Sequence, residues 1–185
     1  MRQDTPAKAL PRVWTVLFVV VLGVVLLLVF LILPDRGPGL GGGGLAFVED
    51  AAAGTLTVMD GDRPVLTYRY GDQLPAGVDP RYARSSYIHP LYSLDGQVLT
   101  EDFPRDHRHH HGLFWAWPVV EVRGARTSNW EPGEPPLRHH FVEVIMTEVS
   151  GAGARLVVRN AWRLGDAEDV AEETVTIVAR PATPP

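Results

Sequence analysis

Residues 13–33 read VWTVLFVVVLGVVLLLVFLIL and carry no charge. At roughly 1.5 Å per residue a helix of this length spans about 31 Å, which matches a hydrocarbon core of about 30 Å. No second stretch in the chain approaches that length, so a multi-span channel or transporter is excluded. The rival reading is a cleaved signal peptide. Its apolar region runs about 7–15 residues and ends at a small-x-small cleavage site. Here the apolar run is longer and Leu-Pro-Asp-Arg follows it, which favours a retained anchor. Trp14 sits where an interfacial anchor belongs.

Charge orients the span. Arg2, Lys8 and Arg12 precede it with only Asp4 against them, and Asp35 and Arg36 cancel after it. The expected topology keeps residues 1–12 cytoplasmic and sends everything past the span outward, at the cell membrane. Residues 34–44, PDRGPGLGGGG, read as a flexible Gly-rich linker, because such a chain loses much entropy on ordering. Residues 45–185 then form one extracytoplasmic domain, since about 150 residues suffice for one core and hardly for two. The balance is +2 over residues 1–34 and −7 over the rest, giving the chain's −5. An acidic outer domain has no electrostatic reason to bind nucleic acid. The absence of cysteine excludes a disulfide-stapled scaffold and a Cys-ligated metal site.

Beyond residue 45 no helix-period segment of useful length occurs, and short β-rich runs alternate with turn residues. Strands are predicted at 45–49, 55–59 and 65–70, the last two joined by a hairpin at Asp60-Gly61-Asp62. A further strand covers 87–92, where Pro90 implies an edge or a bulge. Residues 113–122 read as a strand pair, or one strand bent at Pro118. The alternating segments 141–149, 154–164 and 170–180 predict a meander. Both faces of 141–149 carry apolar residues, so that strand is expected to be covered on both sides. The fold class is all-β, an antiparallel sandwich-like domain.

Four of the seven histidines fall in Asp106-His107-Arg108-His109-His110-His111. In an extended segment His107, His109 and His111 would share a face. Imidazoles two residues apart can converge on one metal ion, and His107, His109 and His110 are the candidate ligands for copper, zinc or another divalent ion. Alternatively His107 and His110, oriented by Asp106, Glu101 or Asp102, suit acid–base work near neutral pH. Trp115 and Trp117 would then line the site, with His89 and Arg108 contacting the ligand. A solvated cluster with no ligand is the third possibility. His139-His140 opens a strand and reads as a surface pair. The sequence has no phosphate-binding loop, no Gly-x-Ser-x-Gly elbow and no His-Glu-x-x-His helix, so those enzyme classes gain no support and whether the chain is an enzyme stays open.

The run Tyr87-Ile88-His89-Pro90-Leu91-Tyr92-Ser93, then Asp95-Gly96, Leu99-Thr100-Glu101-Asp102-Phe103-Pro104, Asp106-His107-x-His109-His110-x-Gly112 and Leu113-Phe114-Trp115-Ala116-Trp117 resembles an uncharacterised bacterial family. It is often labelled "methane oxygenase PmoA". The resemblance covers about residues 55–180 and departs from the motif at Arg108, where proline is frequent. It implies a β-sandwich, a role connected with carbohydrates, and a chain that lacks the family's C-terminal part. Three functions follow as expectations: an anchored domain that binds or processes a carbohydrate or similar polar ligand, a metal-binding protein, and a non-enzymatic anchored interaction module.

Overall fold

The computed structural model describes residues 44–166 and 169–181. The predicted cytoplasmic segment, span and nearly all of the linker lie outside the described residues. Within them no helix is long and apolar enough to cross a membrane.

The described residues form nine strands: β1 (Leu45–Asp50), β2 (Thr55–Asp60), β3 (Arg63–Arg69), β4 (Tyr87–Leu91), β5 (Val120–Val122), β6 (Ala125–Thr127), β7 (Leu137–Ser150), β8 (Gly153–Leu164) and β9 (Asp169–Ala179). The sole described helix is a 3-10 turn, Pro80–Tyr82, with Asp79 capping it through Arg81 N. One antiparallel sheet runs β1-β2-β3-β4 and another β7-β8-β9, while β5 and β6 form a separate hairpin. The all-β antiparallel class and the meander are as the alternation predicts. Pro90 lies on β4, an edge strand, where its missing N–H breaks no ladder.

The two large sheets face each other in a sandwich-like arrangement. Period-two alternation sends Leu56 and Val58 of β2, Leu66 and Tyr68 of β3, and Leu156 and Val158 of β8 inward. Leu56 and Tyr68 meet Leu156 and Val158, while Val58 and Leu66 meet Ala154 and Ala179. Burying a side chain such as Leu156 or Val158 fully contributes about 1.5–3 kcal/mol. One polar tie crosses this core. Tyr68 Oη donates to Asn160 Oδ1 at 3.0 Å, and Asn160 Nδ2 donates to Glu173 Oε1 at 3.1 Å. Burial raises the Tyr68 hydroxyl to about 12, so it stays a donor.

Two expectations fail. Only 120–122 of the expected 113–122 segment pairs as a strand, with β6; Leu113 makes a lone bridge to Ile88 and the rest is irregular. The β-prone residues there are used as walls of a groove instead of ladder members. Strand β7 is not covered on both sides: residues 142–150 are exposed on both faces, Val142, Val144, Ile145, Met146 and Val149 among them. Two register shifts, at Phe141/Glu143 and Val144/Met146, turn this half as an edge strand.

Candidate functional site

At the end of the sandwich where β3 finishes and β4 and β7 begin, connecting loops fold back on the core. Gly112 fixes how close they come. Its φ is +40°, and a Cβ there would stand 2.1 Å from the Ile88 carbonyl oxygen. Leu113 and Ile88 exchange backbone hydrogen bonds at 2.9 and 3.0 Å, and Asp102 bridges to His111. These contacts drive His111 inward while its neighbours stay at the surface. Phe103, with φ +50°, is buried beside it in a backbone region that L residues rarely adopt.

The result is a buried polar chain. His111 is 3% exposed and Asp102 8%. His111 Nδ1 lies 3.1 Å from Asp102 Oδ1. Tyr87 Oη donates to Asp102 Oδ2 at 2.8 Å, and Arg69 Nη1 is 3.6 Å from that same oxygen. Desolvation, reinforced by the Asp102 charge, holds the Tyr87 hydroxyl protonated far above its ordinary range. Burial, with Arg84 and His110 adding to it, lowers His111 despite the hydrogen bond to Asp102. The ring is therefore neutral at pH 7. Its Nδ1–H points to Asp102, which leaves Nε2 as a lone-pair base. Phe103 and Phe114 pack edge-on to the ring at 4.5 and 5.5 Å.

His111 is a wall of two hollows. One is a groove of about 710 Å³ whose other walls include Glu101, His110, Phe114, Trp115, Trp117 and Trp130. Trp115 and Trp117 are parallel to within 12° at 5.9 Å, and both stand open to solvent at 54% and 42% exposure. The other is a small hollow of about 30 Å³ that also touches Trp130, with Arg84, Asn129 and His139 deeper in.

The predicted site residues thus separate into three groups. Glu101, His110, Trp115 and Trp117 come together in the groove, with Asp102 behind it holding His111. Asp106, His107 and Arg108 sit outside it. His107 Nδ1 is 3.1 Å from Asp106 Oδ2 on an exposed turn, where Asp106's own backbone N–H, then His107, lowers its carboxyl. Arg108 Nη1 donates to the Phe103 carbonyl at 2.8 Å, so it staples the loop. His89 is engaged too: its Nδ1 is 2.9 Å from Thr100 Oγ1, and burial lowers it.

The shared face expected for His107, His109 and His111 does not form, because the segment turns; His110 N–H donates to the His107 carbonyl at 3.0 Å. His107, His109 and His110 instead pack ring on ring, at 4.5–5.8 Å between centroids. His109 Nδ1 faces Glu131 Oε1 at 3.5 Å, and burial lowers this imidazole. Among the described residues no group of three His, Asp or Glu is arranged to hold a metal ion.

The sequence reading placed His111 on a face with His107 and His109 but gave it no role at the site, and it missed Arg84 and His139 behind it. His139 is not a surface residue: it is 3% exposed and stacks on Trp162 at 4.3 Å. Burial, with Arg84 and His140 adding to it, pushes its imidazole down to about 3. The signal was available, since Leu137-x-His139-x-Phe141 puts His139 on the inward side of β7. Arg84 gave no such signal. It is 8% exposed, donates to the carbonyls of Asn129 at 3.0 Å and Trp115 at 2.9 Å, and lies over the Phe114 ring at 5.0 Å.

Fold and site together define an antiparallel β-sandwich-like protein with an aromatic groove backed by a buried Asp–His pair. The chain belongs to DUF6807, a family of unknown function, whose model matches residues 55–184. That match replaces the PmoA resemblance drawn from the run Tyr87 to Trp117, which lies within the matched residues. No curated protein and no solved structure matches the chain.

Proposed function

We propose that the groove binds a carbohydrate or a similar polyhydroxy ligand, with His111 as the group that takes or gives a proton. The observation that carries this reading is the pair of parallel, exposed indoles next to a neutral, carboxylate-oriented imidazole. Large exposed apolar rings are costly to leave in water unless something covers them. The C–H face of a pyranose fits an indole face, and ligand sites combine such walls with a few convergent polar groups. Glu101 and His110 supply further polar contacts at the same wall. The Asp102–His111 arrangement resembles the base-and-orienter half of an acid–base site, since the carboxylate fixes the tautomer and leaves Nε2 free to take a proton.

The same reading tethers the domain outside the cytoplasm through residues 13–33, on the strength of the preceding cations. An alkaline phosphatase fusion after Gly44 should be active, and an inactive one alongside an active cytoplasmic reporter at that point refutes the topology. The binding reading is tested with full-length protein on a glycan array, beside the double variant Trp115→Ala/Trp117→Ala. Retention of a glycan by the wild type and its loss in the variant is expected. No retained glycan, or retention indifferent to both tryptophans, refutes it.

A further inference from the structure

The small hollow beside the groove holds an electrostatic imbalance. Arg84 is buried yet has no carboxylate within ion-pair distance among the described residues. Its Nη atoms donate to two carbonyls, and its buried Nε has no partner. Leaving a buried cation without an anion is among the most expensive arrangements a protein core can hold.

His139, on the same hollow, repeats the pattern. Asn129 Oδ1 accepts from Trp117 N at 2.7 Å, which turns Asn129 Nδ2 toward His139 Nε2 at 3.2 Å. That nitrogen must therefore accept, so the neutral ring carries its proton on Nδ1. Nδ1 is buried and has no partner. Two orphaned donors thus belong to residues walling one hollow; both atoms lie behind its surface and add to the positive character of that wall. Trp162 Nε1 is a third orphan, stacked on His139 though not itself a wall.

Two further walls are cationic, Arg81 and Arg138, and the lowered imidazoles of His109 and His111 also line the hollow. Glu131 is its one carboxylate, mostly exposed and facing His109 at 3.5 Å. Glu173 acts on Arg84 only at longer range. A volume of about 30 Å³ holds roughly two water-sized atoms, enough for the two oxygens of a carboxylate and too little for a sugar ring.

We infer that the hollow walled by Arg84, His111 and His139 seats a carboxylate, which makes the groove's ligand an acidic sugar or another polyhydroxy acid; the ligand class, though not the seat, rests on the carbohydrate reading above. A carboxylate there lies against the Arg84 guanidinium and balances its charge, and its sugar ring extends past His111 onto the tryptophans. The acid group then fixes which carbon lies nearest His111.

The test uses full-length protein and three probes: acetate, D-glucuronate with D-glucose as its neutral counterpart, and inorganic phosphate. Acetate should shift the imidazole signals of His139 and His111 saturably. Glucuronate should bind roughly tenfold more tightly than glucose. Acetate should compete with glucuronate and leave glucose binding alone. Arg84→Lys keeps the charge but loses the planar fork, and should erase the preference for glucuronate; the wild-type competition decides the matter if that variant does not fold. No saturable effect of acetate means the hollow holds only water and overturns the seat, even where glucose binds. Equal affinity for the two sugars, or phosphate binding as tightly as glucuronate, overturns the carboxylate assignment. Acetate binding with neither sugar bound overturns the ligand class together with the carbohydrate reading, and leaves the seat supported.

Discussion

Replacing Asp102 by asparagine tests the buried Asp–His pair at the level of a single proton. Asp102 accepts from Tyr87 Oη at 2.8 Å and His111 Nδ1 at 3.1 Å, with Arg69 Nη1 at 3.6 Å. An asparagine of the same shape can keep its oxygen on the Tyr87 hydroxyl, which places its NH₂ against His111 Nδ1. The imidazole must then accept there and carry its proton on Nε2. Arg69 loses its ionic partner but keeps its bonds to the His89 carbonyl at 2.7 Å and to Gln73 Oε1 at 2.9 Å. The expected cost is about 1–3 kcal/mol, that of re-pairing one buried polar group imperfectly. Asp102→Ala strands both the Tyr87 hydroxyl and the His111 N–H and should cost about 3–5 kcal/mol. Urea unfolding followed by tryptophan fluorescence measures both losses, and nitrogen NMR of labelled imidazole reads the tautomer. His111 should carry its proton on Nδ1 in the wild type and on Nε2 in Asp102→Asn. An unchanged tautomer, or an Asp102→Ala protein within about 0.5 kcal/mol of the wild type, refutes the role given to this carboxylate.

Tyr68→Phe removes the donor to Asn160 Oδ1 in the closed core and should destabilise by about 1–3 kcal/mol in the same urea assay; a neutral result means the tie between the sheets contributes nothing. Gly112→Ala forces a Cβ against the Ile88 carbonyl at a left-handed φ and should cost about 2 kcal/mol or more, with the His111 imidazole signal displaced; a wild-type midpoint and spectrum contradict the close approach. His139 in the folded state titrates at about 3, below the unfolded value of about 6.5, so the unfolded chain binds the extra proton between those limits. Stability should be full above about pH 6.5 and decline on acidification toward pH 3, by up to about 1.4 kcal/mol per pH unit for this residue, and His139→Gln should flatten the decline. A decline as steep in the variant as in the wild type assigns it to other groups, His89 and His111 first, since burial lowers both.

Strands were legible wherever the side-chain period agreed with burial. Leu56 and Val58, and Leu66 and Tyr68, alternate in the sequence and alternate in the core, while the central strand β8 is buried on both faces from Leu156 to Val158. Residues 113–119 misled because β-prone aromatics serve a groove wall as readily as a ladder, and composition does not distinguish the two uses. The histidine cluster pointed to the neighbourhood of the groove but not to the imidazole that is buried beside Asp102. Neighbouring imidazoles look alike in a sequence; what separates His111 from His110 is the backbone turn imposed by Gly112 and the distant Ile88 carbonyl. Arg84 was invisible for a related reason. An arginine between a loop and a strand reads as a surface residue until carbonyls 31 and 45 positions later close over it.

Those two carbonyls have a mechanical meaning. Trp115 and Trp130 ride on irregular segments that belong to neither large sheet, so no ladder fixes their separation. Arg84 holds the Trp115 carbonyl with one nitrogen and the Asn129 carbonyl with another, and Asn129 in turn grips the amide of Trp117. The two segments that wall the groove are therefore pinned through one guanidinium and through the Asn129 bonds to Trp117, and they part or stay together as one unit. Amide exchange at Trp117 should consequently report the opening of the whole groove, at a free energy below that of global unfolding, and anything that settles on Arg84 should slow it.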